Sequence, residues 1–416
     1  MIITDPAQRT KAQTFFLIFI LGLLDTIGPF SIDMYLPAFP NIAAELHTTI
    51  QNVSLSVSTY FLGFAAGQIL YGPLLDRFGR KKPIYIGLCL YIIATFACSM
   101  STSINMLLVL RFVQALSGCV GAVSAIAMVR DFFPPEKTAA IISFLVLVIG
   151  LSPLLAPTAG SFVADAFGWR YVFATLAAIA LIVLLLVFFF LPEGQQPDKS
   201  VSLKPKPIIA TFKSILLLPQ FYIFTLAGSF SFAGLFVYVA GSPSIFMEGF
   251  HVSAKMYGGI FALLSVGLIG CSQFNHLLTK KYKSEVIFKV VAFVQIIAST
   301  IYFIGVLNNW YGLTANIILL FIIVSCAGLG YPNAASVALA PFSKNAGSAS
   351  SLLGFVQLGV GGLISFGVGL LHEKGSYPTS LLMMITAAIA LIILIAGRKE
   401  VKNIVIAEAG TNTAVH

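Results

Sequence analysis

AAIALIVLLLVFFFL, residues 177–191, is an apolar run with no charge and no alternation. A transmembrane β-strand alternates apolar and polar positions over ~10 residues, so this stretch belongs to a helix. Eleven further apolar runs flank it, separated by short polar breaks. A bilayer core of ~30 Å needs ~20 apolar residues per helical span. The runs place spans near 14–38, 50–75, 83–101, 104–128, 138–161, 168–191, 216–240, 254–278, 284–304, 311–336, 346–371 and 377–397. Of the 416 residues, 58% are hydrophobic and only 9% charged, against roughly 25% charged in a soluble domain. Lipid is therefore the solvent for most of the chain, and the expected fold class is an all-α integral membrane protein with twelve transmembrane helices.

The first apolar run continues past the length of a signal-peptide core and lacks a small-residue cleavage site, so it is expected to stay as a helix. Of the 24 Lys and Arg, only Arg170, Lys255 and Lys374 fall in the loops of one side, and Arg111 lies within a span. All the others fall on the opposite side, which places both termini in the cytoplasm and requires an even number of spans. The net charge of +9 thus sits in short loops beside helix ends, where it orients the chain and meets anionic lipid rather than nucleic acid. Cys89, Cys98, Cys119, Cys271 and Cys326 all lie in apolar runs without a C-x-x-C pair. They read as small packing residues, with no disulfide and no metal site.

The longest polar interruption contains PEGQQPDKSVSLKPKP (192–207), which is Pro-rich, charged and too short to fold alone. It is expected to be a cytoplasmic linker (192–214) between an N-terminal six-helix bundle (1–191) and a C-terminal six-helix bundle with a short tail (215–416). DRFGRKK (76–82) after the second span has a weak counterpart in TKKYKS (279–284) after the eighth. Gly63 and Gly67 form a G-x-x-x-G pair, and the eleventh span carries Gly347, Gly354, Gly359, Gly361, Gly362, Gly367 and Gly369. Such positions let helices approach closely.

Of the 15 acidic residues, only Asp25 and Asp33 lie well inside a span. An ionised carboxylate at membrane depth costs at least ~2.5 kcal/mol, so each must be protonated, paired or facing water. Burial and a nearby cation push a carboxyl's proton affinity in opposite directions, the tuning that a proton carrier requires. Eight helical residues separate the two by ~12 Å in depth and about 80° in azimuth, so both can face one central cavity. Arg111 is the one basic residue within a span, with Gln114 one turn later on the same face. Its guanidinium must find acceptors among helix carbonyls, Gln114 or a carboxylate of the first span.

These residues sit in stretches that resemble a known family. GPLLDRFGRKK (72–82), RFVQALSGCVGA (111–122) and GLSPLLAPTAG (150–160) resemble the second-loop, fourth-helix and fifth-helix antiporter motifs of the major facilitator superfamily. SIDMYLPAFP (31–40), FAGLFVYVAGSP (232–243), GLGYPNA (328–334) and GSASSLLGFVQLGVG (347–361) are similar to the bicyclomycin-resistance (Bcr/CflA) branch of its twelve-helix drug:proton antiporters. The resemblance implies two pseudo-symmetric six-helix bundles in a bacterial inner membrane. It implies a proton-coupling set of Asp33, Asp25 and Arg111, and a gating loop of Gly72, Asp76, Arg77, Gly79 and Arg80. It further implies a fifth helix bent by Gly150, Pro153, Pro157 and Gly160. Asp76 is also placed to cap the positive end of a facing helix that begins near Ala346.

Candidate lining residues for a largely apolar cavity are Tyr35, Tyr60, Phe61, Gln114, Tyr238, Asn333 and Gln357. The expected function is proton-coupled efflux of drugs or other small organic molecules by alternating access. Export of a physiological metabolite such as a sugar, an amino-acid derivative or a peptide is the alternative. The partners are a small-molecule substrate, protons and the bilayer; a monomer is compatible with this plan, and no cofactor is expected beyond the proton gradient. Enzymatic chemistry is not expected, because His47, His251, His276, His372 and His416 sit at loops, span ends or the tail, away from any nucleophile or metal cluster. A channel would show a selectivity loop, and an ATP-driven pump a G-x-x-x-x-G-K-[ST] segment; neither is present.

Overall fold

The computed structural model describes residues 10–199, 205–342, 346–371, 375–398, 400, 401, 404 and 405. Arg9, Lys204, Lys344, Lys374, Lys399 and Lys402 of the charge asymmetry, together with His372 and His416, lie outside these residues. In chain order the helices are α1 (Lys11–Asp33), α2 (Phe39–Glu45), α3 (Ile50–Phe78), α4 (Lys81–Ser99), α5 (Ile104–Phe132), α6 (Pro135–Phe167) and α7 (Trp169–Phe190). There follow α8 (Pro205–Leu216), α9 (Pro219–Pro243), α10 (Ala254–Thr279), α11 (Ser284–Leu307), α12 (Leu313–Leu339), α13 (Ala346–Leu370) and α14 (Tyr377–Gly397). Among the described residues, twelve helices are long and apolar enough to cross a membrane. Large apolar side chains such as Ile86, Val109, Phe162, Phe189, Leu363 and Ile395 point outward, as lipid solvation requires.

Local sequence sets many of the boundaries. Thr10 accepts the Gln13 amide while Gln13 Oε1 accepts the Thr10 amide, a reciprocal cap that starts α1. Thr49, Ser103 and Ser253 cap α3, α5 and α10 through the amide three residues on. The first span departs from the sequence expectation: α1 stops at Asp33 instead of running to residue 38. Pro37 and Pro40 cannot donate to a continuing ladder, and the chain turns through a 3₁₀ segment, Leu36–Ala38, into α2. At that end Arg170 and the Trp169 indole both donate to Glu45, and Arg170 also donates to the carbonyls of Ser99 and Ser101, so α2, α4 and α7 are pinned together.

The helices form two six-helix bundles, α1 with α3–α7 and α9–α14, which meet along α3 against α13 and α6 against α10. Small residues permit those contacts. A methyl on Gly362 would strike the side chain of Leu62 and one on Gly369 the side chain of Leu55, while within the first bundle one on Gly63 would strike the Phe112 carbonyl of α5. The stretch expected as a linker carries a helix. Its second half is α8, an amphipathic helix held by burying Ile215 in the cluster with Phe221, Leu352 and Leu353.

The tightest approach is between α6 and the break after α1, where a methyl on Gly160 would run into the Met34 carbonyl oxygen. Overpacking against backbone costs about 1–3 kcal/mol or more. Gly160→Ala should therefore lower the thermal unfolding midpoint in detergent. Gly259→Ala, where a methyl meets nothing within 4 Å, should leave it unchanged or slightly raised; equal midpoints for the two variants would contradict the packing described.

Candidate functional site

Arg111 of α5 is fully buried, and among the described residues no carboxylate pairs with it. Its guanidinium carbon sits 4.2 Å from the ring centroids of both Tyr35 and Tyr60 and 5.8 Å from that of Phe173. Nη1 donates to Gln114 Oε1 at 2.5 Å, whereas Nε and Nη2 have no partner among the described residues. The network continues: Gln114 Nε2 donates to Thr95 Oγ1 (2.8 Å), Thr95 to the Tyr91 carbonyl (2.6 Å), and the Tyr91 hydroxyl meets Ser31 Oγ (2.5 Å). Tyr35 shares a hydrogen bond with Ser56, and Tyr60 donates to the Gly28 carbonyl of α1. Four helices of the first bundle, α1, α3, α4 and α5, are thereby tied to one cation.

Asp25 and Asp33 are both buried on α1 but have different neighbours. Asp33, the last residue of α1, accepts from Ser152 Oγ of α6 at 3.4 Å. It also lies within electrostatic reach of Tyr238 on α9 and Tyr257 on α10, across the seam between the bundles. Asp25 lies instead near Cys119 of α5. Neither lines the cavity described next. The GLSPLLAPTAG motif places Gly150 against Ile269 of α10 and the backbone around Pro157 against Gly258; Pro153 and Pro157 are accommodated within a continuous α6.

At the end carrying the basic loops, a cavity of about 640 Å³ is lined by Gln68, Gly72, Asp76, Arg80, Arg130, Asp131, Gln195, Thr211 and Phe212 and by the first residues of α13. Arg80 is its hub. Nη1 meets Asp76 Oδ1 at 2.8 Å, Nε meets Asp131 Oδ2 at 2.7 Å, and Nη2 donates to Gln195 Oε1 at 2.6 Å. Glu193 Oε1 accepts the amides of Arg80 and Lys81 at 2.8 and 3.0 Å, which caps the positive end of α4. Gly79 turns the chain here with φ +81°, a left-handed conformation natural to glycine. Arg77 lies one turn before, half-buried. The Asp76 carboxylate is engaged by Arg80, and no hydrogen bond joins it to the described start of α13. At the opposite end the bundles are bridged by Gln51 Nε2, which donates to Glu248 Oε2 at 2.8 Å and lies 3.3 Å from Ser244 Oγ.

The other candidate residues are spread along the seam. Phe61 meets Phe236 across it at 4.4 Å between ring centroids. Tyr238 stacks on Phe261, and its hydroxyl has no partner among the described residues. Gln357 of α13 is buried, and Asn333 is occupied with Asn275 and the Leu329 carbonyl. Sequence reasoning passed over Ser152, Asp131, Glu193, Gln195, Gln51 and Glu248. The one available signal was two acids, Asp131 and Glu193, in polar stretches on the same side as the arginine-rich loop.

The chain matches the family profile described as Major Facilitator Superfamily over residues 14–366. It is 29% identical over 365 residues to a bicyclomycin resistance protein homolog of Haemophilus influenzae, covering 86% of this chain and 89% of that protein. It is 31% identical over 333 residues to the multidrug resistance protein MdtL of Escherichia coli, covering 79% and 82%. A crystal structure of a D-xylose-proton symporter superposes with a TM-score of 0.72 at 14% identity, covering 91% of this chain and 97% of that one, a likeness of fold. The chain belongs to the Major Facilitator Superfamily, in the bicyclomycin-resistance branch of its drug:proton antiporters.

Proposed function

We propose that this chain exports drugs or similar small organic molecules across a bacterial inner membrane in exchange for protons, by alternating access, with both termini in the cytoplasm. The observation that carries the reading is Asp33. It is a buried acid at a helix break, held by Ser152 of its own bundle and facing Tyr238 and Tyr257 of the other. A proton added there changes the charge at the seam along which the bundles must rock. Asp25 is the second carrier, and Arg111 is the fixed positive charge against which protonation is read. The basic-loop asymmetry supports the orientation, and the names of the two relatives support the class of cargo.

In this reading the cavity beneath Arg80 is the cytoplasmic vestibule, and Gly72, Asp76, Arg77, Gly79 and Arg80 belong to its gate. The domain division is 1–191, 192–214 and 215–416. Cargo contacts come from Phe61, Tyr238 and Gln357 along the seam. Tyr35, Tyr60 and Gln114 act through Arg111, and Asn333 acts through Asn275. Gly150, Pro153, Pro157 and Gly160 seat α6 against α10 and the α1 break.

Two measurements test this reading. Asp33→Asn keeps the side chain's size while removing its proton, so the variant should fold and reach the membrane while gradient-driven export falls by roughly 5–150-fold, the usual range of a coupling free energy. Undiminished uphill export by Asp33→Asn combined with Asp25→Asn leaves the mechanism without a carrier. The outer bridge gives the second. A hydrogen bond to a charged group contributes ~1.5–3 kcal/mol, so Gln51→Ala should shift the conformers towards outward opening. Spin-label distances between the outer ends of α3 and α9 should then lengthen in a larger fraction of molecules; an unchanged distance distribution removes the bridge from the gate.

A further inference from the structure

Helix α8 carries no acidic residue, and its side chains sort into stripes. Ile209 and Leu216, seven residues apart, fall on nearly one line, and Lys206 and Lys213 fall on a neighbouring line within about 60° of it. Ile215, about 120° from the Ile209 line, is buried in the cluster beneath α9 and α13, and Phe212, about 60° from that line on the side away from the lysines, packs against the same cluster. Ile209 is 61% exposed and Leu216 42%, and both lysines are exposed. Leu218 caps α9, itself a membrane-length helix, so two residues separate the end of α8 from the start of a span. An apolar line beside a lysine line, on a helix joined to the start of a span, is the pattern of a helix lying in the interface plane. The apolar side chains reach the acyl boundary there, and the lysine stems extend up to the headgroups.

Charge at this end selects the lipid. Four acids of the basic face are already engaged, Asp76 and Asp131 with Arg80, Glu193 with the α4 amides, and Glu285 with Lys289, while Glu400 is exposed. Lys82, Arg130, Lys280 and Lys281 are exposed around them. We infer that α8 is a docking surface for anionic phospholipid in the leaflet at the basic end, with Lys206 and Lys213 at the headgroup phosphates. Thr211 and Phe212 of the same helix line the 640 Å³ cavity, so lipid held on one side of α8 fixes the outer wall of that cavity on the other. The proposed orientation contributes only the identity of the leaflet, and the test below reads lipid contact, which is independent of whether the chain exports anything.

The test uses the full chain reconstituted in phosphatidylcholine vesicles containing an equal minor fraction of either dibrominated phosphatidylglycerol or dibrominated phosphatidylcholine. Ile209→Trp and Leu216→Trp, made separately at positions already exposed, supply the indole probes. Emission from the two native tryptophans is subtracted with the parent protein. Brominated phosphatidylglycerol should quench each added indole about twofold more than the zwitterionic lipid. That preference should disappear in Lys206→Gln with Lys213→Gln and shrink at high salt, while Ser214→Trp, about 140° from the Ile209 line, stays weakly quenched by both. Equal quenching by the two lipids would overturn headgroup recognition. Absence of quenching by either would overturn the interfacial seat and leave α8 facing the cytosol or a soluble partner.

Discussion

The arrangement of the first bundle depends on one buried cation. Taking a guanidinium out of water costs several kcal/mol after relaxation, and each unpartnered buried donor adds about 1–3 kcal/mol. Arg111 recovers part of this from two tyrosine faces, each cation–π contact being worth up to ~2 kcal/mol when desolvated, and from Gln114. Nε and Nη2 stay unpartnered, so the balance remains unfavourable and the site keeps an appetite for negative charge. Its supports are correspondingly rigid, because Tyr35, Tyr60 and Gln114 are each fixed by a further hydrogen bond to Ser56, the Gly28 carbonyl and Thr95. In the proposed exchange, a cation held this firmly and under-satisfied serves as a reference charge for events on α1, which carries both acids and supplies the Gly28 carbonyl.

The two ends of the molecule are closed by different chemistry. At the basic end, charge is concentrated on Arg80, with Asp76, Asp131, Gln195 and Glu193 drawn from α3, α5 and the linker. All of these belong to the first bundle or its exit, so the hub stiffens one bundle and leaves the cavity beside it open. At the other end the bridge from Gln51 to Glu248 runs between bundles, and Ser58 meets Ser365 at 2.8 Å two turns deeper along the same α3–α13 seam. The named polar contacts that cross the seam are thus hydrogen bonds set among apolar packing, whereas the named ion pairs do not cross it. Rocking the bundles would exchange a few exchangeable hydrogen bonds and leave the ion pairs intact.

Lipid makes the fold legible, because every span must satisfy its own backbone and present apolar side chains outward. The twelve runs could be counted from the sequence for that reason, and the one-turn spacing of Arg111 and Gln114 anticipated their hydrogen bond. The early end of α1 follows from prolines whose local effect was overridden in the reading by a continuous apolar run. The pairing of Arg111 with two tyrosines instead of an acid was not legible, since Tyr35 lies in the turn after α1, Tyr60 on α3 and Arg111 on α5, and only packing brings them together. Glu193 and Asp131 were counted as loop acids; what they bind is decided by where the chain returns after α7. The α8 helix was obscured by its own composition, in which prolines and lysines outweighed a short apolar stripe that matters only beside a bilayer and against α13.

Close packing along the seam adds a constraint on how the bundles can move. Methyls on Gly362 and Gly369 would collide with Leu62 and Leu55 of α3, and one on Gly160 with the Met34 carbonyl. Interfaces of this density are bistable rather than continuously deformable, so α3 cannot creep along α13 by small increments without losing its contacts. It must pass between discrete seats, and a small change in charge at one point of the seam can then decide between them. In the proposed exchange, Asp33 sits where that decision is mechanically cheap. It is the terminal residue of α1, with Met34 pressed against α6 on one side and Tyr238 and Tyr257 of the second bundle on the other, so a change in its charge bears on both walls of the seam at once.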